Sequence, residues 1–252
     1  MIATSETCDD FLMGRVKLLQ PAKGYRAGID PVLLAAATPA QAGQTVLELG
    51  CGAGAASLCL NARVSGLSFV GVEMQGLYAD LARRNAVRNG ADMEVVQADI
   101  QSMPLSVRDR RFDHVIANPP YYLKNKFTAS NDEGRNVAVS GETPLETWID
   151  LASKRLGPRG YFTMIQKADR LLDILANLHG RLGSVRVRPI QARSDREARL
   201  VIVQARKLGR ADFVLEAPLR MHDGPRHERD GDSYSEQALA ILRHSAALGW
   251  GD

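Results

Sequence analysis

The stretch Thr45-Val46-Leu47-Glu48-Leu49, followed by Gly50-Cys51-Gly52-Ala53-Gly54 and an Ala/Leu-rich run to about Asn61, limits the fold of this chain more than any other. A short apolar run that ends in closely spaced glycines and continues into helix-forming residues predicts strand, tight loop, helix. Glycines at such a junction let the backbone approach a ligand closely.

The same alternation continues downstream. Leu67 to Val72 predicts a second strand ending at Glu73-Met74, and Leu77, Tyr78, Leu81, Ala82 and Ala86 share the face of a helix closed by Asn89-Gly90. Met93 to Gln97 predicts a third strand ending at Asp99-Ile100, and Asp113 to Ala117 a fourth. A helix over Pro144 to Leu156, a fifth strand over Tyr161 to Ile165 and a helix over Leu171 to Leu178 follow. Val185 to Ile190 and Leu200 to Ala205 are separated by too little chain for a helical crossover and are expected to pair antiparallel. Upstream, Asp30 reads as the N-cap of a helix with Pro31 at its first position, while residues 1 to 28 read as irregular or short-strand structure. A last short helix is expected over Ser235 to Leu242. The fold class is therefore α/β, with a Rossmann-like seven-stranded sheet, mostly parallel with one antiparallel strand near the edge, and helices on both faces. The expected organisation is a cap segment and helix over 1–44, a binding domain over 45–207 and a tail with a short helix over 208–252, all within one structural domain.

Asn118-Pro119-Pro120-Tyr121 directly follows the fourth strand, at the edge where open α/β sheets bind ligands. The prolines fix φ and cannot donate, so the Pro119 carbonyl is expected to be free to accept, beside the Asn118 side-chain oxygen and the flat face of Tyr121. Such a corner suits a planar NH2-bearing group. Taken alone, the tetrapeptide reads equally well as an ordinary proline-rich turn. Glu73, ending the strand after the glycine loop, is placed to accept both hydroxyls of a ribose. Gly50-x-Gly52-x-x-Ala55 with Glu73 also satisfies the dinucleotide fingerprint, so this region by itself leaves NAD open. Three features point away from it: the acid Glu48 just ahead of the loop, Asp99 placed to accept from an adenine amino group, and the tetrapeptide at the same sheet edge.

With 45% hydrophobic residues the chain has material for a sizeable core. Met1 to Gly14 lacks the pattern of a signal peptide and no apolar run reaches the roughly 20 residues of a membrane span, so a cytoplasmic location is expected. Cys8, Cys51 and Cys59 form neither a C-x-x-C pair nor a disulfide framework, and no metal site is expected. Cys51 reads as a small residue in a tight turn. The net charge of +3 is small, but residues 181 to 230 carry 12 Lys+Arg against 7 Asp+Glu. That local excess suits phosphates or a solvated face.

In this order, Val46 to Gly54, Glu73, Ala98-Asp99-Ile100 and Asn118-Pro119-Pro120-Tyr121 resemble the successive motifs of class I S-adenosylmethionine-dependent methyltransferases that modify amino nitrogens. The resemblance implies the methyltransferase sheet and S-adenosyl-L-methionine as cofactor. Its contacts would be Glu48, Gly50, Cys51, Gly52, Gly54, Glu73, Met74, Asp99, Ile100 and Asn118. The Gly50 to Gly54 loop would approach the methionine part, Glu73 the ribose, and Asp99 with the Ile100 backbone the adenine. Asn118, Pro119, Pro120 and Tyr121 would form the catalytic corner. A narrower similarity, to the bacterial tRNA1(Val) adenine-37 N6-methyltransferase family, is carried by Gly24-Tyr25-Arg26-Ala27-Gly28-Ile29-Asp30-Pro31-Val32-Leu33-Leu34 and by Leu219-Arg220-Met221-His222-Asp223 with Tyr234-Ser235-Glu236. Between these, Val137 to Glu142 lacks an arginine usual in that family.

The resemblance implies tRNA or another structured RNA as partner. Lys124, Lys126, Arg135, Arg193, Arg196 and Arg199 are candidate phosphate contacts or, equally, part of a solvated basic surface. Tyr121 rather than Tyr122 is expected to stack on the flipped base, and His114 is expected to be a packed or edge histidine rather than a catalyst. Methylation of a protein glutamine or of a small-molecule amino group, and a non-enzymatic NAD-binding module, are the alternatives.

Overall fold

A computed structural model of the chain describes residues 5–121, 143–224 and 233–251. It opens with an antiparallel hairpin of β1 (Glu6–Phe11) and β2 (Val16–Pro21), turned by Leu12, Met13 and Gly14, all at positive φ. Helix α1 (Asp30–Ala37) follows, then β3 (Thr45–Leu49), α2 (Ala55–Arg63), β4 (Ser68–Glu73), α3 (Gly76–Arg88) and β5 (Asp92–Gln97). A one-turn helix α4 (Leu105–Arg108) leads to β6 (Phe112–Ala117). The second half contains α5 (Leu145–Arg155), β7 (Leu156–Lys167), α6 (Leu171–Leu178), β8 (Gly183–Gln191), β9 (Ala198–Arg206), β10 (Val214–Leu215), β11 (Leu219–Arg220) and α7 (Glu236–His244).

The main sheet has nine strands in the order β10-β8-β9-β7-β6-β3-β4-β5, with β11 also paired to β8. Strands β3 to β7 are mutually parallel and β9 runs antiparallel to both neighbours, as its short connection requires. Seven strands are the expected ones. The two extra strands are two-residue pairings along the outer edge of β8, too short to leave a period in the sequence. Along the central strands, successive side chains serve opposite cores. Val46, Phe69, Ile116 and Ile165 face a layer containing α1, α2 and α7, while Leu47, Val70, Val115 and Met164 face one containing α5 and α6.

Two asparagines one helical turn apart dock the hairpin on α3. Asn85 accepts from Leu19 N at 2.7 Å and donates to Leu19 O at 2.9 Å, and Asn89 does the same for Lys17 at 2.9 and 3.0 Å. Their amide edges stand in for a neighbouring strand, satisfying backbone groups of β2 that would otherwise be orphaned. Asn85 is fully buried and also donates to Ala53 O in the glycine loop at 3.0 Å.

Part of the C-terminal basic excess is structural. Glu216 pairs with Arg186 at 2.6 Å and Arg188 at 3.3 Å, and Arg188 also donates to Gly249 O at 2.8 Å. Trp250 Nε1 in turn donates to Ala37 O at 2.8 Å, closing the chain end over α1.

Candidate active site

From β3 the chain moves to β4 and β5 on one side and later to β6 and β7 on the other, so the sheet's topological switch lies between β3 and β6. Leu49 pairs with Ala117 across that boundary, and the glycine loop and Asn118 leave the sheet side by side. Glu73, closing β4, and Asp99, just beyond β5, lie at the same edge because all four strands are parallel. This is the crevice in which open α/β sheets hold ligands.

Gly50, Gly52 and Gly54 have φ of 64°, 53° and 87°, a left-handed run that folds the loop back over the start of α2. A Cβ on Gly50 would come within 2.6 Å of the Trp148 ring, whereas one on Gly52 meets nothing within 4 Å. The loop therefore rests on an aromatic floor and keeps an open outer side that admits a ligand. Gly50→Ala, which adds both backbone strain and the ring collision, is expected to destabilise the protein by about 2–4 kcal/mol in urea unfolding. Stability within about 0.5 kcal/mol of wild type would contradict the packing described. Cys51 is buried, donates its amide to Val72 O at 3.0 Å, and has its thiol pushed well above the ordinary range by burial. It is a small core residue, as expected.

The three acids have distinct surroundings. Glu73 Oε2 accepts from Gly52 N at 2.9 Å and Oε1 from Gln75 N at 2.8 Å, so this carboxylate ties the glycine loop to the start of α3 and retains lone pairs on each oxygen. Burial raises its pKa, with those backbone bonds opposing the rise. Asp99 accepts from Gln101 N at 2.9 Å through one oxygen, placing buried Ile100 next to it. Glu48, 3% exposed, accepts from Ser57 N at 3.1 Å and Ser57 Oγ at 2.5 Å at the N-terminal turn of α2. Met74 is half exposed beside Glu73.

Burial pushes the Glu48 carboxyl up to about 7, against the pull of its Ser57 bonds. His114 is 1% exposed, stacks on Tyr161 and meets Gln44 Oε1 at 2.9 Å, and burial pushes it down to about 4. It is packed, as expected, and neutral. The two groups act oppositely on stability. The folded-state value of Glu48 lies above its ordinary 4.5, so its contribution is complete below that pH and is lost as pH rises through about 7. His114 lies below its ordinary 6.5, so its contribution is complete above that pH and is lost as pH falls through about 4. Each is on the order of 3 kcal/mol. Glu48→Gln is therefore expected to steepen the loss of stability on acidification from pH 7 to 4.5, measured by urea unfolding across that window. Parallel profiles for variant and wild type would rule out the buried-proton account of Glu48.

The tetrapeptide corner is more enclosed than the sequence suggests. Asn118 is half-buried, Pro119 buried and Pro120 exposed. The Pro119 carbonyl, expected to be free, accepts from the buried Gln166 Nε2 at 3.3 Å, because β7 carries Gln166 alongside the end of β6. One acceptor position remains on that oxygen. Tyr121 donates its hydroxyl to Asp30 Oδ2 at 2.7 Å. Asp30 is not the expected N-cap. Ile29 holds that position, without a side-chain bond, and Asp30 is the first residue of α1, turned to the tyrosine instead. Tyr25 is 41% exposed, yet the crowding around its hydroxyl, with the carboxylates of Asp30, Glu48 and Glu73 nearby, pushes it up to about 12.

Among the candidate phosphate contacts, Arg193 serves the tail, donating to Asp223 O at 2.5 Å and Ser233 Oγ at 3.1 Å. Arg196 and Arg199 are exposed. Lys124, Lys126 and Arg135, like Tyr122 and Val137 to Glu142, lie outside the described residues. Gln166, Tyr25, Ser57 and Trp148 were not among the predicted site residues. Tyr25 lies in the stretch preceding α1 and Trp148 on the apolar face of α5, while Gln166 and Ser57 carry no local signal.

Residues 28–187 match the family described as methyltransferase small domain. The chain belongs to this family. It is an S-adenosylmethionine-dependent methyltransferase, which removes the NAD alternative left open by the glycine fingerprint. A Porphyromonas gingivalis protein named tRNA1(Val) (adenine(37)-N6)-methyltransferase is 33% identical over 251 residues, covering 93% of this chain and 98% of that relative. A Bacteroides fragilis protein of the same name is 31% identical over 147 residues, 57% of this chain and 61% of that one. Among solved structures, a protein from Agrobacterium tumefaciens described as a predicted O-methyltransferase superposes with a TM-score of 0.72 at 26% identity, covering 88% of this chain and all of that one. A T. thermophilus 16S rRNA N2 G1207 methyltransferase in complex with AdoMet and guanosine shares the fold, with a TM-score of 0.56 at 18% identity over 81% of this chain and 50% of that chain. No helix among the described residues is long and apolar enough to cross a membrane.

Proposed function

We propose that this methyltransferase forms N6-methyladenosine in tRNA and works in the cytoplasm, where that substrate is found. The likeness to the P. gingivalis tRNA1(Val) (adenine(37)-N6)-methyltransferase carries the reading, because it runs over 93% of the chain and so includes the segments flanking the cofactor fold.

The acceptor's difficulty is that an adenine amino group delocalises its lone pair into the ring. Two acceptors directed at its hydrogens favour a more pyramidal nitrogen with an available lone pair. Asn118 Oδ1 and the remaining acceptor position of Pro119 O fill those roles. Tyr121 offers a stacking face, a contact worth about 1–3 kcal/mol per base. S-adenosylmethionine, when bound, supplies a methyl group already activated by its sulfonium charge. The chain therefore needs to orient rather than to ionise the acceptor, and the surplus proton passes to water. On the cofactor side, the spare lone pairs of Glu73 suit ribose hydroxyls, and the unengaged oxygen of Asp99 with the Ile100 backbone suits an adenine edge. The open side of the glycine loop, near Glu48 and Met74, suits the methionine part. Arg196 and Arg199, with Lys124, Lys126 and Arg135, are proposed to meet RNA phosphates. Nucleoside mass spectrometry of tRNA from cells lacking the protein is expected to show N6-methyladenosine lost, and restored by the wild-type chain. An unchanged level would overturn the assignment.

A further inference from the structure

An acid in the first turn of a helix commonly serves the helix N-terminus, yet Asp30 makes no capping bond. Its carboxylate instead reaches a residue 91 positions away and accepts the Tyr121 hydroxyl at 2.7 Å. Around that bond the corner is held from two sides. Pro119 and Pro120 stiffen the backbone leading to Tyr121, and Gln166 fastens the Pro119 carbonyl from β7. On the other side, the Tyr25 carbonyl accepts the Tyr78 hydroxyl at 3.0 Å and the two rings meet edge to face at 6.4 Å, anchoring the segment that leads into Asp30. A tyrosine ring has two side-chain torsions, and fixing its hydroxyl removes the freedom that the backbone leaves it.

We propose that Asp30 is a positioning residue for methyl transfer: through the Tyr121 hydroxyl it holds the ring at the angle that receives the flat face of the acceptor. The inference rests on the reading of Tyr121 as the stacking surface. It extends that reading by making the ring's orientation, set from α1, part of acceptor binding. Phenylalanine would offer the same face without the anchor. The ordering occurs before the acceptor arrives, so the loss falls on acceptor affinity rather than on cofactor affinity.

The test is a double-mutant cycle read in steady-state kinetics with calorimetric titration of S-adenosylhomocysteine. Asp30→Ala and Tyr121→Phe are each expected to raise KM for the acceptor about tenfold, with smaller change in kcat and the homocysteine compound bound within about twofold of wild type. The double variant is expected to be no worse than either single one. Asp30→Asn, which keeps an acceptor for the hydroxyl, is expected to recover part of the loss. An unchanged KM in Asp30→Ala, or losses that add in the double variant, would overturn the proposal. Wild-type protein that leaves tRNA unmodified would defeat the acceptor assignment alone. The same cycle, run on whichever amino acceptor the wild type methylates, then decides the role of Asp30.

Discussion

Asn118→Ala is expected to lower kcat by about 10²–10³-fold while leaving the affinity for S-adenosylhomocysteine within a few-fold of wild type. Asn118 leaves β6 one residue beyond Ala117, which pairs with Leu49 at the mouth of the glycine loop. In the proposed mechanism its side chain stands where the acceptor nitrogen meets the cofactor. The neighbouring acceptor, Pro119 O, already takes a bond from Gln166, so it cannot replace both contacts to an amino group. With a packed, neutral His114 as the strand's only imidazole, the corner depends on orientation by Asn118. Single-turnover measurement with cofactor in excess isolates the chemical step. A rate within a few-fold of wild type would show that amino-group positioning is not the source of catalysis.

Glu73→Ala is expected to raise the Kd for S-adenosylmethionine about 100-fold, with a smaller effect on turnover at saturating cofactor. The carboxylate holds Gly52 N and Gln75 N at once, so its removal loosens the glycine loop and the start of α3 as well as deleting the acceptor proposed for ribose. Two part-buried N–H groups then lose their partner, and stability is expected to fall by about 1–3 kcal/mol. Glu73→Gln, which keeps one acceptor oxygen, should lie between the two. Titration calorimetry checks both, and an unchanged Kd in Glu73→Ala would remove this residue from the cofactor site.

The sheet was legible because its central strands are short apolar runs punctuated by glycine, asparagine or proline, and their order places the site without any side-chain information. Glu73, Asp99 and Asn118 could be placed at one sheet edge for the same reason, since each lies at or just beyond the end of a strand. What the sequence hid were contacts between segments far apart in the chain. The hairpin β1-β2 fits the short-strand half of the expectation for this stretch, but Thr7, Asp9 and Asp10 mask its alternation, so the pairing itself is not legible locally. Asp30 carried every local mark of an N-cap, but the Tyr121 hydroxyl supplied a partner 91 residues away. Likewise, nothing near Pro119 announced Gln166, and the expectation that Arg193 would be free for phosphate ignored the tail carbonyls it holds. Local pattern located the strand ends; which lone pairs and cations stay available there depended on packing between β7, α1 and the chain end.

On the proposed function, the Asn118 corner methylates the amino group of an adenine in RNA. The check is to incubate the purified protein with methyl-labelled S-adenosylmethionine and total unmodified tRNA and then digest to nucleosides. Label is expected in N6-methyladenosine, formed about 10²–10³-fold more slowly with Asn118→Ala. Label that appears in protein while the tRNA stays unlabelled would contradict it.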